Sequence, residues 1–89
     1  MSDRKIAGSV VTITGGTGSF GSTMAKHVLE NGVAELRIFS RDEAKQDAMR
    51  HMLGDERVRF FIGDVRDALS VKSAVKGSDL VFHAAALKQ

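Results

Sequence analysis

The sequence has no cysteine, proline, tryptophan or tyrosine among its 89 residues. Without cysteine there are no disulfide staples, no thiolate metal sites and no thiol nucleophile. No apolar run approaches the roughly 20 residues that a membrane span needs, and the polar start Met-Ser-Asp-Arg-Lys-Ile is not a secretory signal. An excess of charge of one sign is also missing, since 13 Lys and Arg stand against 11 Asp and Glu for a formal net charge of +2. No Lys/Arg cluster marks a nucleic-acid surface. What is present is an ordinary globular mixture, 43% apolar and 27% charged, which argues against disorder. The length allows one small domain that buries roughly two-thirds of its unfolded surface. These features predict a cytoplasmic α/β domain.

The apolar pattern switches between two periods along the chain. Residues 9–14 form a β-branched run, Val10-Val11-Thr12-Ile13, suited to a strand buried on both faces. Phe20, Met24 and Val28, with Ala25 and Leu29, then make one apolar stripe on a helix over about 19–30, stopped by Asn31-Gly32. Leu36, Ile38 and Phe39 mark a second strand. Ser40-Arg41-Asp42-Glu43 has capping-box spacing and opens a helix carrying Ala44, Ala48, Met49, Met52 and Leu53, ended by Gly54. Residues 58–62 make a third strand, with Val58, Phe60 and Ile62 on one side and Phe61 on the other. Asp67 caps a third helix carrying Leu69, Val71, Ala74 and Val75, which Gly77 ends, and Leu80-Val81-Phe82 begins a fourth strand. This βαβαβαβ order predicts parallel pairing through right-handed crossovers, half of a doubly wound sheet with strand order 3-2-1-4. There are no repeats and no linker. The chain ends just after a strand expected to be internal.

Between the first strand and first helix lies Thr14-Gly15-Gly16-Thr17-Gly18-Ser19-Phe20-Gly21. Gly15, Gly18 and Gly21 are spaced G-x-x-G-x-x-G, and Gly16, Gly18 and Gly21 also satisfy G-x-G-x-x-G. Such glycines allow a sharp turn, close approach of a pyrophosphate to the backbone, and tight packing of helix on strand. Free N–H groups and the helix dipole then hold phosphates. The strand–turn–helix context supports a dinucleotide site; the plainer alternative is a turn whose glycines serve backbone geometry only. An NTPase phosphate loop is disfavoured, because no Lys-Ser/Thr pair follows the glycines.

An NAD site usually has an acid at the end of the second strand for the ribose 2′-OH. This chain instead reads Ser40-Arg41, with Lys45 a helical turn later, a set suited to a 2′-phosphate and hence to NADP. The alternative is that Ser40 caps the helix and Arg41 is solvated. Asp64 could accept from the adenine amine while the Val65 N–H donates to the ring, or Asp64 could serve only the turn. Ala84-Ala85-Ala86 leave room for the nicotinamide half. His27 and His51 have no partner at metal-ligand spacing and read as surface or boundary residues, and His83 as a hydrogen-bonded core residue. Lys88 lies just beyond a strand end, where ligands gather in open α/β sheets.

Four segments together carry a family resemblance: TGGTGSFG from Thr14, FSRDEAK from Phe39 with Gln46 and Met49, FFIGDVRD from Phe60 and HAAALKQ from His83. They resemble the inverting UDP-N-acetylglucosamine 4,6-dehydratases of the extended short-chain dehydrogenase/reductase group, which serve capsule, O-antigen and flagellin-sugar synthesis. Gln89 after Leu87-Lys88 is more similar to the capsule/O-antigen branch with 5-epimerase activity. The resemblance implies an NAD(P)-binding Rossmann fold. It implies NADP held by Thr17, Gly18, Ser19 and Phe20, by Ser40, Arg41 and Lys45, and by Asp64 and Val65, to which the glycine motif adds Gly15 and Gly21. Ala84 matches a position near the nicotinamide, and Lys88 one near the substrate.

In that family, oxidation at the sugar C4 acidifies the C5 proton, water is lost across C5–C6, and hydride returns to C6 with inversion at C5. The family's Tyr- or Met-x-x-x-Lys element and sugar-binding part correspond to positions beyond 89, so this sequence supplies no catalytic residue of its own. The expectation is the cofactor-binding N-terminal piece of a longer, homo-oligomeric enzyme acting on UDP-N-acetylglucosamine, inactive by itself. A UDP-glucose 4-epimerase-like piece and a non-catalytic NADP-binding module are the alternatives.

Overall fold

The computed structural model describes residues 6–15 and 17–84. The elements follow the expected order: β1 (Val10–Thr14), α1 (Ser19–Glu30), β2 (Glu35–Ser40), α2 (Glu43–Leu53), β3 (Val58–Ile62), α3 (Ala68–Val75) and β4 (Leu80–His83). All pairings are parallel and the sheet order is β3-β2-β1-β4. Val11 lies beside Leu36 and Leu80, and Leu36 beside Val58. The chain therefore forms the N-terminal half of a doubly wound Rossmann sheet. Among the described residues no helix is long and apolar enough to cross a membrane.

The two faces of the sheet differ in chemistry, because side chains alternate along each strand. Val11 and Ile13 of β1 and Leu36 and Ile38 of β2 share one face, where they pack with Ala25 and Val28 of α1 and Met49 of α2. The other face carries Thr12, Arg37 and Phe39 toward α3. There Thr12 Oγ1 bonds the Ser78 hydroxyl and the Ala74 carbonyl, while Arg37 Nη1 donates to the carbonyls of Ala74 at 2.9 Å and Lys76 at 2.6 Å. Arg37 thus caps the last turn of α3, whose carbonyls have no partner inside the helix.

Several sequence expectations about which side chains are buried need correction. On α1 the buried stripe is Gly21, Ala25 and Val28, while Phe20 is 40% exposed. On α2 the buried residues are Gln46 and Met49; Ala44 and Ala48 are exposed and Met52 is 49% exposed. On α3, Ala74 is buried but Leu69 is 76% exposed. Ile62 is exposed as well, at the end of the edge strand β3. His83 is exposed rather than a core residue, although its Nδ1 bonds Thr14 Oγ1 at 2.8 Å.

The helix starts also differ from the expected capping box. Asp42, not Ser40, is the N-cap of α2, its carboxylate accepting from Lys45 N at 3.0 Å. Ser40 remains the last residue of β2 and is buried. Asp67 caps α3 as expected, accepting from Leu69 N and Ser70 N.

Candidate functional site

The C-terminal ends of β1, β2 and β3 open onto one cleft of about 550 Å³. Gly15 and Thr17 line it from the glycine turn, Ser40, Arg41, Asp42 and Lys45 from the end of β2 and start of α2, and Gly63 through Arg66 from the segment after β3. In open α/β sheets this end of the strands, where crossovers diverge to opposite faces, is where ligands bind. A smaller recess of about 340 Å³ shares Thr17 and Lys45 with the cleft and extends along α1 past Gly18, Ser19 and Ser22.

Local backbone chemistry builds the turn. Gly15 has φ +69°, in the left-handed region that favours glycine, and its N–H donates to the Phe39 carbonyl at 2.6 Å. Gly18 is the extended N-cap of α1 and makes no side-chain cap bond, and no acid occupies the first turn. The opening of α1 thus offers backbone N–H groups and the positive end of its dipole without a carboxylate competing for them.

The cationic rim is organised around Asp64. Arg66 clamps its carboxylate, with Nη2 donating to Oδ2 at 2.8 Å, Nε at 3.2 Å to both oxygens, and the backbone N–H to Oδ1 at 2.9 Å. Arg41 Nη1 reaches Oδ2 at 3.5 Å. The Arg66 side chain and then its backbone N–H hold the Asp64 carboxyl far below the usual carboxylate range, with the charge of Arg41 a smaller contribution. In turn Asp64 raises the Arg66 guanidinium. Asp42 is committed as the α2 cap. Both carboxylates in the cleft therefore have cationic or N–H partners, while Arg41 and Lys45 remain exposed.

Most residues singled out from sequence meet here. Gly15, Thr17, Ser40, Arg41, Lys45, Asp64 and Val65 line the cleft, and Gly18 and Ser19 the adjoining recess. Gly21 is buried on the helix face packed toward the sheet. Phe20 lines neither space, because it lies on the exposed side of α1. Ala84 also lines neither; it is buried after β4, where its N–H donates to Thr14 O at 2.9 Å. Gly16, Ala85, Ala86 and Lys88 lie outside the described residues.

Gly63 and Arg66 line the cleft and Gln46 lies behind it, although the sequence reading assigned none of the three to the site. A signal for Arg66 was available, because Asp-x-Arg occurs at Asp55/Arg57 as well as Asp64/Arg66, and both form the same paired carboxylate–guanidinium turn. Gln46 belongs to the segment that carries the family resemblance, but its bond to Phe61 depends on a strand distant in sequence.

Comparison with known proteins agrees with this architecture. A family model described as polysaccharide biosynthesis protein matches residues 11–89. UDP-glucose 4-epimerase of Rickettsia bellii is 54% identical over 81 residues, covering 86% of this chain and 24% of that protein. Among solved structures, Pen from Bacillus thuringiensis is 34% identical with a TM-score of 0.82, over 85% of this chain and 24% of that one. WbmF from Bordetella bronchiseptica, solved in complex with NAD+, is 26% identical with a TM-score of 0.70, over 89% and 23%. The chain spans about a quarter of the length of the curated relatives it matches. With a match over nearly all its length, a Rossmann sheet and a glycine turn at the strand ends, the chain belongs to the polysaccharide biosynthesis protein family.

Proposed function

We propose that the chain is the NADP-binding portion of an inverting, 5-epimerising UDP-N-acetylglucosamine 4,6-dehydratase that serves capsule or O-antigen synthesis as a homo-oligomer. The observation that carries the cofactor reading is the end of β2. Ser40, Arg41 and Lys45 border the cleft there, while of its two carboxylates Asp64 is paired with Arg66 and Asp42 caps α2. Arg41 and Lys45 supply charge to a ribose 2′-phosphate and Ser40 a hydroxyl donor. The N–H groups at the start of α1 receive the pyrophosphate, and Thr17 stands between the two sites. Asp64, ionised and oriented by Arg66, accepts from the adenine amine, and the Val65 N–H donates to the ring. Ala84 and Lys88 belong on this reading to the nicotinamide and sugar ends. A bound nicotinamide supplies reversible hydride removal from a sugar carbon.

The curated relatives named UDP-glucose 4-epimerase support a second reading, an epimerase that shares oxidation at C4. Ser40 stands where an NAD site would place its acid, which favours the first reading. Titration of the protein with NADPH and NADH tests the cofactor. Arg41→Ala is expected to weaken NADPH binding about tenfold, roughly 1.4 kcal/mol, and to leave NADH nearly unchanged. An equal fall for both overturns the 2′-phosphate assignment. Incubating the intact protein with UDP-N-acetylglucosamine and with UDP-glucose separates loss of water from simple inversion at C4.

A further inference from the structure

Behind the cleft, Gln46 is 2% exposed although it is polar and sits on the helix face turned toward the sheet. Burying an amide is costly unless its groups are bonded. Its Nε2 donates to Phe61 O at 2.8 Å and to Ser40 Oγ at 2.9 Å, with a longer approach of 3.5 Å to Ser40 O. The Phe61 carbonyl can only accept, so the NH2 end of Gln46 must face it; the reverse orientation would oppose two oxygens. That choice determines the second bond as well. Gln46 is the donor to Ser40, and the Ser40 hydroxyl is the acceptor.

We propose that Gln46 is a positioning residue for phosphate recognition, one that turns the Ser40 hydroxyl proton toward the cleft so that Ser40 donates to an anionic oxygen. This inference rests on the NADP reading. With one Oγ lone pair taken by Gln46, the proton points elsewhere, and the open side of Ser40 is the cleft it shares with Arg41, Lys45 and Asp64. A phosphate dianion can only accept, so a serine poised as donor favours it, whereas a ribose hydroxyl can use Ser40 in either sense. Gln46 achieves this without touching the ligand, and the same amide ties the end of β2 to β3 through Phe61.

The test is a double-mutant cycle on NADPH and NADH binding. Gln46→Met keeps the side chain's length and apolar packing but removes the donor. It is expected to weaken NADPH binding about five- to tenfold, the equivalent of roughly one hydrogen bond, and to change NADH binding by less than about twofold. Ser40→Ala is expected to do the same, and in the Ser40→Ala background Gln46→Met is expected to cost nothing further. Gln46→Glu reverses the polarity, so Ser40 donates backward to the new carboxylate, and NADPH binding is expected to fall further than in Gln46→Met. Independently of any variant, the Gln46 side-chain amide resonances of the unmodified protein are expected to shift with NADPH and not with NADH. Equal losses for both cofactors, additive losses in the double variant, or amide resonances indifferent to NADPH would overturn the role of Gln46. An unmodified protein without preference for NADPH would instead overturn the underlying NADP reading.

Discussion

Gly63 lies so close to Phe39 that a β-carbon there would stand 2.7 Å from Phe39 Cζ and 2.8 Å from Cε2. Phe39 is 1% exposed, so its ring has little room to withdraw. The absent side chain at Gly63 is what lets the segment after β3 fold back over β2 and bring Asp64 beside Arg41.

Gly63→Ala is therefore expected to destabilise the chain by about 1–3 kcal/mol, as overpacking commonly does. The same substitution displaces Asp64 and Arg66, so dinucleotide binding should weaken beyond the loss of stability. Chemical denaturation and ligand titration on one variant separate the two effects. Stability unchanged from the parent would show that Phe39 yields.

Acid should weaken the fold through the two Asp-x-Arg turns. The Arg57 side chain and backbone N–H lower Asp55 from its ordinary 3.8 to about 2, and Arg66 lowers Asp64 further. A carboxyl whose folded pKa is depressed adds stability that is complete above its unfolded pKa and is lost as pH falls through the folded one. The contribution of Asp55 is thus whole above about pH 4 and fades toward pH 2. Asp55→Asn is expected to flatten that part of the stability-against-pH curve, measured by urea denaturation from pH 5 downward. A curve of unchanged slope would remove Asp55 from the account.

Arg37 is expected to matter for stability rather than binding. It does not line the cleft, and its side chain, 17% exposed, is bonded to Glu35 at 2.8 Å and to two carbonyls at the end of α3. Among the described residues, Arg37→Ala leaves the two α3 carbonyls without this donor and Glu35 with only Arg59, 3.7 Å away, and bonds of this charged kind contribute about 1.5–3 kcal/mol each. Arg37→Lys should recover only part of the loss, since an ammonium lacks the planar fork that bonds Glu35 and the helix end together. Thermal melts of the two variants would show this ranking, and equal melting temperatures for all three proteins would refute it.

Much of the fold was legible because its signals are local. The β-branched run at 10–13, the stops at Gly32, Gly54 and Gly77, and the Asp67 cap each act within a few residues of themselves, and each lies where the sequence placed it. Burial on the helices was read less well. Phe20, Met52 and Leu69 are apolar at helical spacing yet exposed, because which arc of a helix is covered depends on the sheet behind it and not on the helix itself.

By itself the sequence determined the strand–helix alternation, the glycine turn and the Ser40, Arg41 and Lys45 group, since period, stop residues and short spacings are properties of neighbouring positions; the strand order followed from that alternation by the rule for parallel crossovers. Tertiary structure alone decided that Asp64 comes beside Arg41 and that a buried Gln46 bonds the Phe61 carbonyl as well as Ser40. The physical reason is that a hydrogen bond depends on which donors and acceptors meet, and here β2 and β3 are brought side by side only when the parallel sheet forms.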